Sequence, residues 1–179
     1  MDIYQLKVAL ADIRPPIWRR IQVPADISLA RLHRVLQAVM GWSDTHMHAF
    51  RMGRQTFGVA DPEFPDGTRS ERGVQLEQVA KAGDRFVYEY DFGDGWEHEI
   101  VVEEALAAEG AARYPCCLAG ERACPPEDCG GLPGYEELVQ ALGDPAHPEH
   151  QEYLKWIGAD FDPEAFDLAA VNKKLWASR

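Results

Sequence analysis

The chain has 179 residues, 46% of them apolar and 27% charged, with a formal net charge of −12. This length suits one globular domain with its own core, and no stretch approaches the roughly 20 apolar residues of a membrane span. The first residues lack a basic start followed by an apolar run, so we expect a cytoplasmic protein with no secretory signal and no membrane partner.

Charge is distributed unevenly along the chain. Residues 1–60 contain eight Lys or Arg and four Asp or Glu. Residues 61–179 contain ten Lys or Arg and 26 Asp or Glu. Phosphate contacts dominate non-specific binding to nucleic acids, so a chain this acidic is a poor non-specific binder over most of its surface. Only the first third retains the composition for a local basic patch.

Two strands are predicted at the start of the chain. Apolar residues alternate with polar ones over residues 4–10 and again over residues 17–23. The connection between them contains Pro15 and Pro16, neither of which can continue a hydrogen-bonded ladder. We therefore expect the two strands to pair as a hairpin with a longer loop.

A helix and a third strand are predicted next. Ser28 has the chemistry of a helix N-cap, an apolar stripe follows at helical spacing, and Gly41 provides the end. The third strand is predicted over residues 46–52, with the side chains of His46 and His48 on the same face.

The clearest hairpin pattern lies in the middle of the chain. Aromatic and apolar residues alternate with polar ones over residues 86–92 and 96–102, on either side of Gly93-Asp94-Gly95. His98 falls on the apolar face of the second strand. A buried, hydrogen-bonded histidine is the ordinary interpretation of such a position, and a metal ligand is the alternative.

Residues 105–134 show no regular pattern, and residues 135–177 show helical periodicity interrupted by glycine and proline. The expected fold is therefore a single α+β domain over residues 1–179. A mixed or antiparallel sheet is expected over about residues 3–104, with the N-terminal helix and the helical C-terminal segment packed on it. A cysteine-containing loop is expected over residues 105–134.

All four cysteines lie in that predicted loop, at positions 116, 117, 124 and 129. In a reducing compartment, clustered thiols indicate a metal site or reactive cysteines more often than disulfides. The spacing lacks the paired Cys-x2–4-Cys knuckles of structural zinc, so a mixed zinc site with imidazoles of the sheet is one hypothesis. Its candidate ligands are Cys117, Cys124, Cys129, His98, His46 and His48. Buried free thiols, or a disulfide, remain the alternatives.

A basic and aromatic group on the second predicted strand is the other candidate site. It consists of Arg14, Trp18, Arg19 and Arg20. Arginine beside tryptophan can stack on a nucleic-acid base or hold a phosphate, and it can equally form a half-buried sheet face. This group is the basis for nucleic acid as a candidate partner.

Several segments taken together resemble one protein family. They are Ile13–Arg20, Gly41-Trp42 with His46–Phe50, Tyr90–His98, Cys124–Asp128 with Gly130-Gly131, and Phe161–Asp167. The combination spans roughly residues 3 to 176 and resembles the Ri-plasmid open-reading-frame-three-like proteins, also described as insertion-element passenger proteins of TnpR type. The resemblance implies an α+β fold and a link to plasmids and mobile elements, and it implies no established activity.

Carried onto this chain, the family motifs fall on twelve positions, which we hypothesise to form one site. They are Trp18, Arg19, His46, His48, Asp91, Asp94, Trp96, His98, Cys124, Pro125, Glu127 and Asp128. No serine-recombinase arrangement accompanies them, so the TnpR name indicates genomic context rather than chemistry.

Three functions are consistent with these residues. The first is a non-catalytic binding or adaptor domain for a protein partner, with a cysteine loop that zinc could stabilise. The second is an accessory protein in DNA transposition or recombination, acting through the basic group. The third and weakest is a metal- or thiol-dependent hydrolase using Asp94, His98, Glu127 and Asp128. No catalytic residue is assigned from the sequence.

Overall fold

The computed structural model describes residues 2–59, 67–158 and 160–177. Along these ranges the strands are β1 (Asp2–Leu10), β2 (Trp18–Pro24), β3 (His48–Met52), β4 (Gln55–Gly58), β5 (Arg69–Ser70), β6 (Arg85–Tyr90), β7 (Trp96–Ala107) and β8 (Cys116–Glu121). The helices are α1 (Leu29–Met40), α2 (Leu76–Val79), α3 (Gly131–Gly143), α4 (His150–Ile157) and α5 (Leu168–Ala177). None of these helices is both long enough and apolar enough to cross a bilayer.

The strands form one mixed sheet in the order β5-β4-β3-β6-β7-β1-β2-β8. Every pairing is antiparallel except that of β4 with β5. Helix α5 packs against both α1 and β8, which brings the C-terminal part of the chain onto the sheet. The predicted α+β class with a mixed sheet is confirmed.

Both predicted hairpins are present. Strand β1 pairs with β2 in one continuous register, and β6 pairs with β7 so that Tyr90 lies opposite Trp96 and Tyr88 opposite His98. These side chains are buried because every second residue of each strand faces the helices. The turn between β6 and β7 begins at Asp91, whose φ of +54° ends the extended backbone of β6.

Helix α1 forms where its caps predict it. The Ser28 hydroxyl accepts a hydrogen bond from the Arg31 N–H, and Gly41 ends the helix at a φ of +106° with its N–H bonded to the Gln37 carbonyl. Its apolar stripe is buried against the sheet. The helix therefore fixes where the following loop, residues 41–47, leaves the core.

Two local predictions are wrong. Residues 105–134 are not one loop, because β7 continues to Ala107 and residues 116–121 form β8, whose hydrogen bonds to β2 outweigh its lack of apolar alternation. His46 is not on a strand with His48, because β3 begins only at His48. Residues 42–47 are irregular, with a φ of +59° at Asp44, so the alternation of a strand does not place the two imidazoles on one face.

Candidate metal centre

Three segments that are distant in sequence meet at one end of the aromatic hairpin. They are the loop 41–47, the turn 91–95 and the residues 124–131, named here the docked segment. The Trp42 indole N–H donates to the Pro125 carbonyl at 3.0 Å. The backbone N–H of Ser43 donates to Glu127 Oε1 at 2.9 Å, and its hydroxyl lies 3.1 Å from the same oxygen. The loop thus holds the docked segment through the Trp42 indole and through the N–H and hydroxyl groups of Ser43.

The turn 91–95 holds the other end of the docked segment. Asp94 Oδ2 accepts a hydrogen bond from the Gly130 N–H at 3.2 Å. At Gly131 the two backbones approach so closely that a Cβ would lie 2.5 Å from the Asp94 carbonyl oxygen. Asp91 shapes the turn itself, since its Oδ1 accepts from the N–H groups of Gly93 and Asp94. Close backbone contact therefore fixes the docked segment against the hairpin.

One imidazole and three carboxylates face each other where these segments meet. His46 Nε2 lies 3.0 Å from Asp128 Oδ1, 3.6 Å from Asp91 Oδ2 and 3.9 Å from Glu127 Oε2. Asp91 is nearly buried, whereas the Asp128 side chain is 72% exposed. His46, Asp91 and Asp128 form a group whose possible ligand atoms all lie within 4.8 Å of one another. We call these three residues the His46 group.

The His46 nitrogen is surrounded by oxygens yet makes no hydrogen bond to them. Its Nε2 atom is buried and has no hydrogen-bond partner of acceptable geometry, despite the 3.0 Å distance to Asp128. Ligand atoms that share one ion at bonds of about 2.1 Å lie about 3.0 Å apart at right angles and about 3.4 Å apart in a tetrahedron. The distances from His46 Nε2, 3.0 Å to Asp128 and 3.6 Å to Asp91, are close to these values.

Tyr90 connects the hairpin to Glu127. Its buried hydroxyl lies 3.1 and 3.2 Å from the two carboxylate oxygens of Glu127, to which it donates, and it accepts from the Thr45 N–H at 3.1 Å. Burial raises the pKa of Tyr90, so the phenol stays a donor at neutral pH. In the sequence Ser43 has the features of an ordinary loop residue and Tyr90 those of a core residue of the hairpin. Neither is among the predicted site residues.

His48 belongs to a different group, named here the imidazole stack. The rings of His33 and His48 are parallel, with centroids 3.5 Å apart. His33 bonds Asp44 at 2.8 Å and the Tyr88 hydroxyl at 2.7 Å, and His48 bonds Glu71 at 2.9 Å. Burial lowers the pKa of His33, and the neighbouring His48 imidazole lowers it further.

The geometry of the imidazole stack disfavours a shared ion. His33, Asp44 and His48 do offer three ligand atoms within 4.8 Å. However, the lone pairs of stacked rings lie in parallel planes, here with ring centroids 3.5 Å apart, so an ion about 2 Å from both nitrogens would lie outside at least one ring plane. The stack is therefore a buried hydrogen-bonded array, which the sequence reasoning missed because His33 reads as part of the helix.

His98 lies in the core between Tyr88 and Trp42. It is fully buried, its Nδ1 bonds the Tyr88 carbonyl at 3.1 Å, and its Nε2 has no partner. Burial lowers the pKa of His98 to about 4, against the opposing effect of backbone hydrogen bonds. His98 is thus a neutral core imidazole, separate from the His46 group.

In the described ranges the four cysteines form neither a disulfide nor part of a group of close metal ligands. All four are free thiols. Within the described ranges, no group of three close ligand atoms includes a cysteine. Burial raises the pKa of Cys117 to about 11, that of Cys129 to about 12 and that of Cys124 further. Burial therefore favours the protonated thiol at these three positions.

Arg19 points into the interior. It is 2% exposed, its Nε donates to the Val39 carbonyl at the end of α1, and its two Nη atoms donate to the carbonyls of Trp18, Glu121 and Arg122. One side chain thus ties α1, β2 and the end of β8 together. A cation beside the last carbonyls of a helix is also favourable for the helix dipole.

The remaining members of the basic group lie elsewhere. Arg20 forms a bidentate pair with Glu103, at 2.7 and 2.8 Å. Trp18 lies between the charges of Arg20 and Lys7 on the outer face of β2. Arg14 lines a separate cavity beside α3. The four residues predicted to bind nucleic acid therefore do not form one exposed surface.

We expect Arg19→Met to destabilise the protein by about 3 kcal/mol, because four backbone carbonyls lose a charged donor at once. Arg20→Met is the matched control, and its partly exposed ion pair should contribute under about 1 kcal/mol. Urea unfolding of both variants measures the difference. Equal losses would contradict the interior role of Arg19.

Known proteins are similar to this chain along most of its length. The family model for plasmid pRiA4b ORF-3-like proteins covers residues 2–170. The uncharacterized protein y4hQ of Sinorhizobium fredii is 45% identical over 97% of this chain and 91% of its own length. The crystal structure of protein MM3350 from Methanosarcina mazei Go1, of unknown function, is similar with a TM-score of 0.88 and 39% identity, covering 94% of this chain and 96% of that one. The resemblance read from the motifs is confirmed, and the chain belongs to the plasmid pRiA4b ORF-3-like family.

Proposed function

We propose that this chain is a binding domain that holds one divalent transition-metal ion at His46, Asp91 and Asp128, with Glu127 at the edge of the site. The observation that carries this proposal is the buried Nε2 atom of His46, which is surrounded by carboxylate oxygens and makes no hydrogen bond. A buried polar nitrogen in such surroundings is costly unless something satisfies it, and a cation bound between the oxygens would do so.

The ligand set indicates the class of ion. One imidazole with two carboxylates suits Mn²⁺, Fe²⁺ or Zn²⁺ better than a soft ion such as Cu⁺, which prefers thiolate ligands. This set replaces the cysteines as the preferred ligands for zinc or a similar ion. A zinc site at Cys117, Cys124 and Cys129 stays a prediction from the sequence.

The ion would have two roles in this proposal. It would join the docked segment, through Asp128, to the hairpin and to the loop that carries His46. It would also keep open coordination positions on the side of the exposed Asp128 carboxylate. Those positions suit an oxygen-bearing group of a protein partner, which is the adaptor role favoured by the sequence. A nucleic-acid role stays a prediction from the sequence, and the buried position of Arg19 does not support it.

The test is metal binding by chelator-stripped protein. We expect calorimetric titration with Mn²⁺ and with Zn²⁺ to give one site per chain, and bound Mn²⁺ to increase water-proton relaxation through its open positions. Asp128→Asn keeps the side-chain shape at an exposed position and should weaken binding at least tenfold. Asp26→Asn removes the same charge from an exposed position outside the His46 group and should leave the affinity unchanged.

Three results would count against the proposal. The first is no ion bound by the unmodified chain at millimolar Mn²⁺ and Zn²⁺. The second is equal affinity in Asp128→Asn and the unmodified chain. The third is loss of binding in Cys124→Ala with retention in Asp128→Asn, which would instead support the cysteine site predicted from the sequence.

A further inference from the structure

A cavity of about 420 Å³ lies between the end of α1, the docked segment and α5. Its walls are mainly apolar, and the large side chains among them are Val39, Met40, Trp42, Phe161, Phe166 and Val171. The volume is within the usual range for sites that hold a small organic molecule. Nothing in the metal proposal requires this cavity, although Trp42 and Glu127 border both.

Two cations line the cavity. Arg19 is buried, its guanidinium lies 4.6 Å from the centre of the Phe166 ring, and no carboxylate pairs with it in the described ranges. Four of its five N–H groups have carbonyl partners, which leaves one Nη2 hydrogen to donate. The exposed Lys174 on α5 lines the same cavity and donates to the Trp42 carbonyl at 3.2 Å.

The two acids that line the cavity have other partners. Glu127 accepts hydrogen bonds from Ser43 and Tyr90 at the metal centre. Asp167 Oδ1 accepts from the Ala170 N–H in the first turn of α5. Of the four charged residues that line the cavity, Arg19 is the buried one, and its hydrogen-bond partners are neutral carbonyls.

We propose that this cavity binds a small organic carboxylate with an apolar body. The carboxylate would lie beside Arg19 and Lys174, and the apolar part would pack on Trp42, Phe161 and Phe166. A buried cation held only by neutral carbonyls gains most from an anion in a low-dielectric site, because the ligand charge compensates it where water does not. The apolar walls contribute the burial of the ligand body.

The test compares two probes with the same eight-carbon chain and opposite charge, octanoate and octylamine. Binding is followed by tryptophan fluorescence and calorimetry, both in chelator and with Mn²⁺, so that it does not depend on the metal proposal. We expect saturable octanoate binding with a Kd below about 1 mM and at least tenfold weaker binding of octylamine. No octanoate binding under either condition, or equal binding of the two probes, would overturn the proposal.

Matched variants on α5 locate the site. Lys174→Gln should weaken octanoate binding several-fold, whereas Lys173→Gln, an exposed neighbour outside the cavity lining, should not. Ala170→Trp places a large side chain at the cavity and should abolish binding, with Ala169→Trp on the same helix as its control. Both alanines are exposed, so folding should be preserved. Unchanged octanoate affinity in Ala170→Trp would show that the probe binds elsewhere.

Discussion

Replacing His98 by Gln or Leu is expected to make the stability of the protein less dependent on pH between about pH 6.5 and pH 4. Burial lowers the pKa of His98 to about 4 in the folded chain, against about 6.5 when unfolded. Between these values the unfolded state binds more protons, so stability falls as the pH falls. The full shift corresponds to about 3 kcal/mol, at about 1.4 kcal/mol per pKa unit.

The measurement is the difference in unfolding free energy between each variant and the unmodified chain, at several pH values. Either substitution also changes packing around Trp42 and Tyr88, and this produces an offset that does not depend on pH. The pH-dependent part should be the same for Gln and Leu, since neither side chain titrates. A difference that stays constant from pH 7 to pH 4 would show that folding does not perturb the titration of His98.

Gly134→Ala is expected to destabilise the protein by about 3 kcal/mol or more. A Cβ at this position in α3 would lie 1.8 Å from the carbonyl oxygen of Cys129, which belongs to the backbone of the docked segment and cannot rotate away. The segment would have to shift, and Asp128 would move with it. Thermal or urea unfolding gives the stability loss, and the same preparation should bind Mn²⁺ more weakly.

Gly143→Ala, at the other end of the same helix, is the control. Nothing lies within 4 Å of a Cβ at that position, and its backbone is not left-handed. Removing a helical glycine should therefore stabilise the protein slightly, by up to about 1 kcal/mol. The two substitutions are chemically identical and have opposite expected signs. A mild effect of Gly134→Ala would mean that the docked segment is free to adjust.

Local patterns in the sequence were sufficient for much of the fold. The alternation of Tyr88 and Tyr90 with polar residues, and the glycine-rich turn after them, specify the β6–β7 hairpin through short-range chemistry. Ser28 and Gly41 specify α1 in the same way. These features depend on neighbours a few residues apart, so a single sequence is enough to read them.

The candidate metal site could be predicted only in part, because it depends on contacts between distant segments. The family motifs named His46, Asp91, Glu127 and Asp128 among twelve positions, and the structure brings these four together. No spacing rule separates them from the others, since residues 46 and 128 meet only after the docked segment folds back. The division of His46 from His48 follows from the start of β3 at His48, a boundary that the alternation pattern does not reveal.

That division has a consequence for how substitutions combine. Asp44 and His48 take part in the imidazole stack, while His46, between them in the chain, faces the carboxylates. The backbone from Asp44 to His48 therefore carries side chains of both the imidazole stack and the His46 group. Replacements at His33 and at Asp128 should be energetically non-additive, since both side chains contact the same five-residue stretch, at Asp44 and at His46.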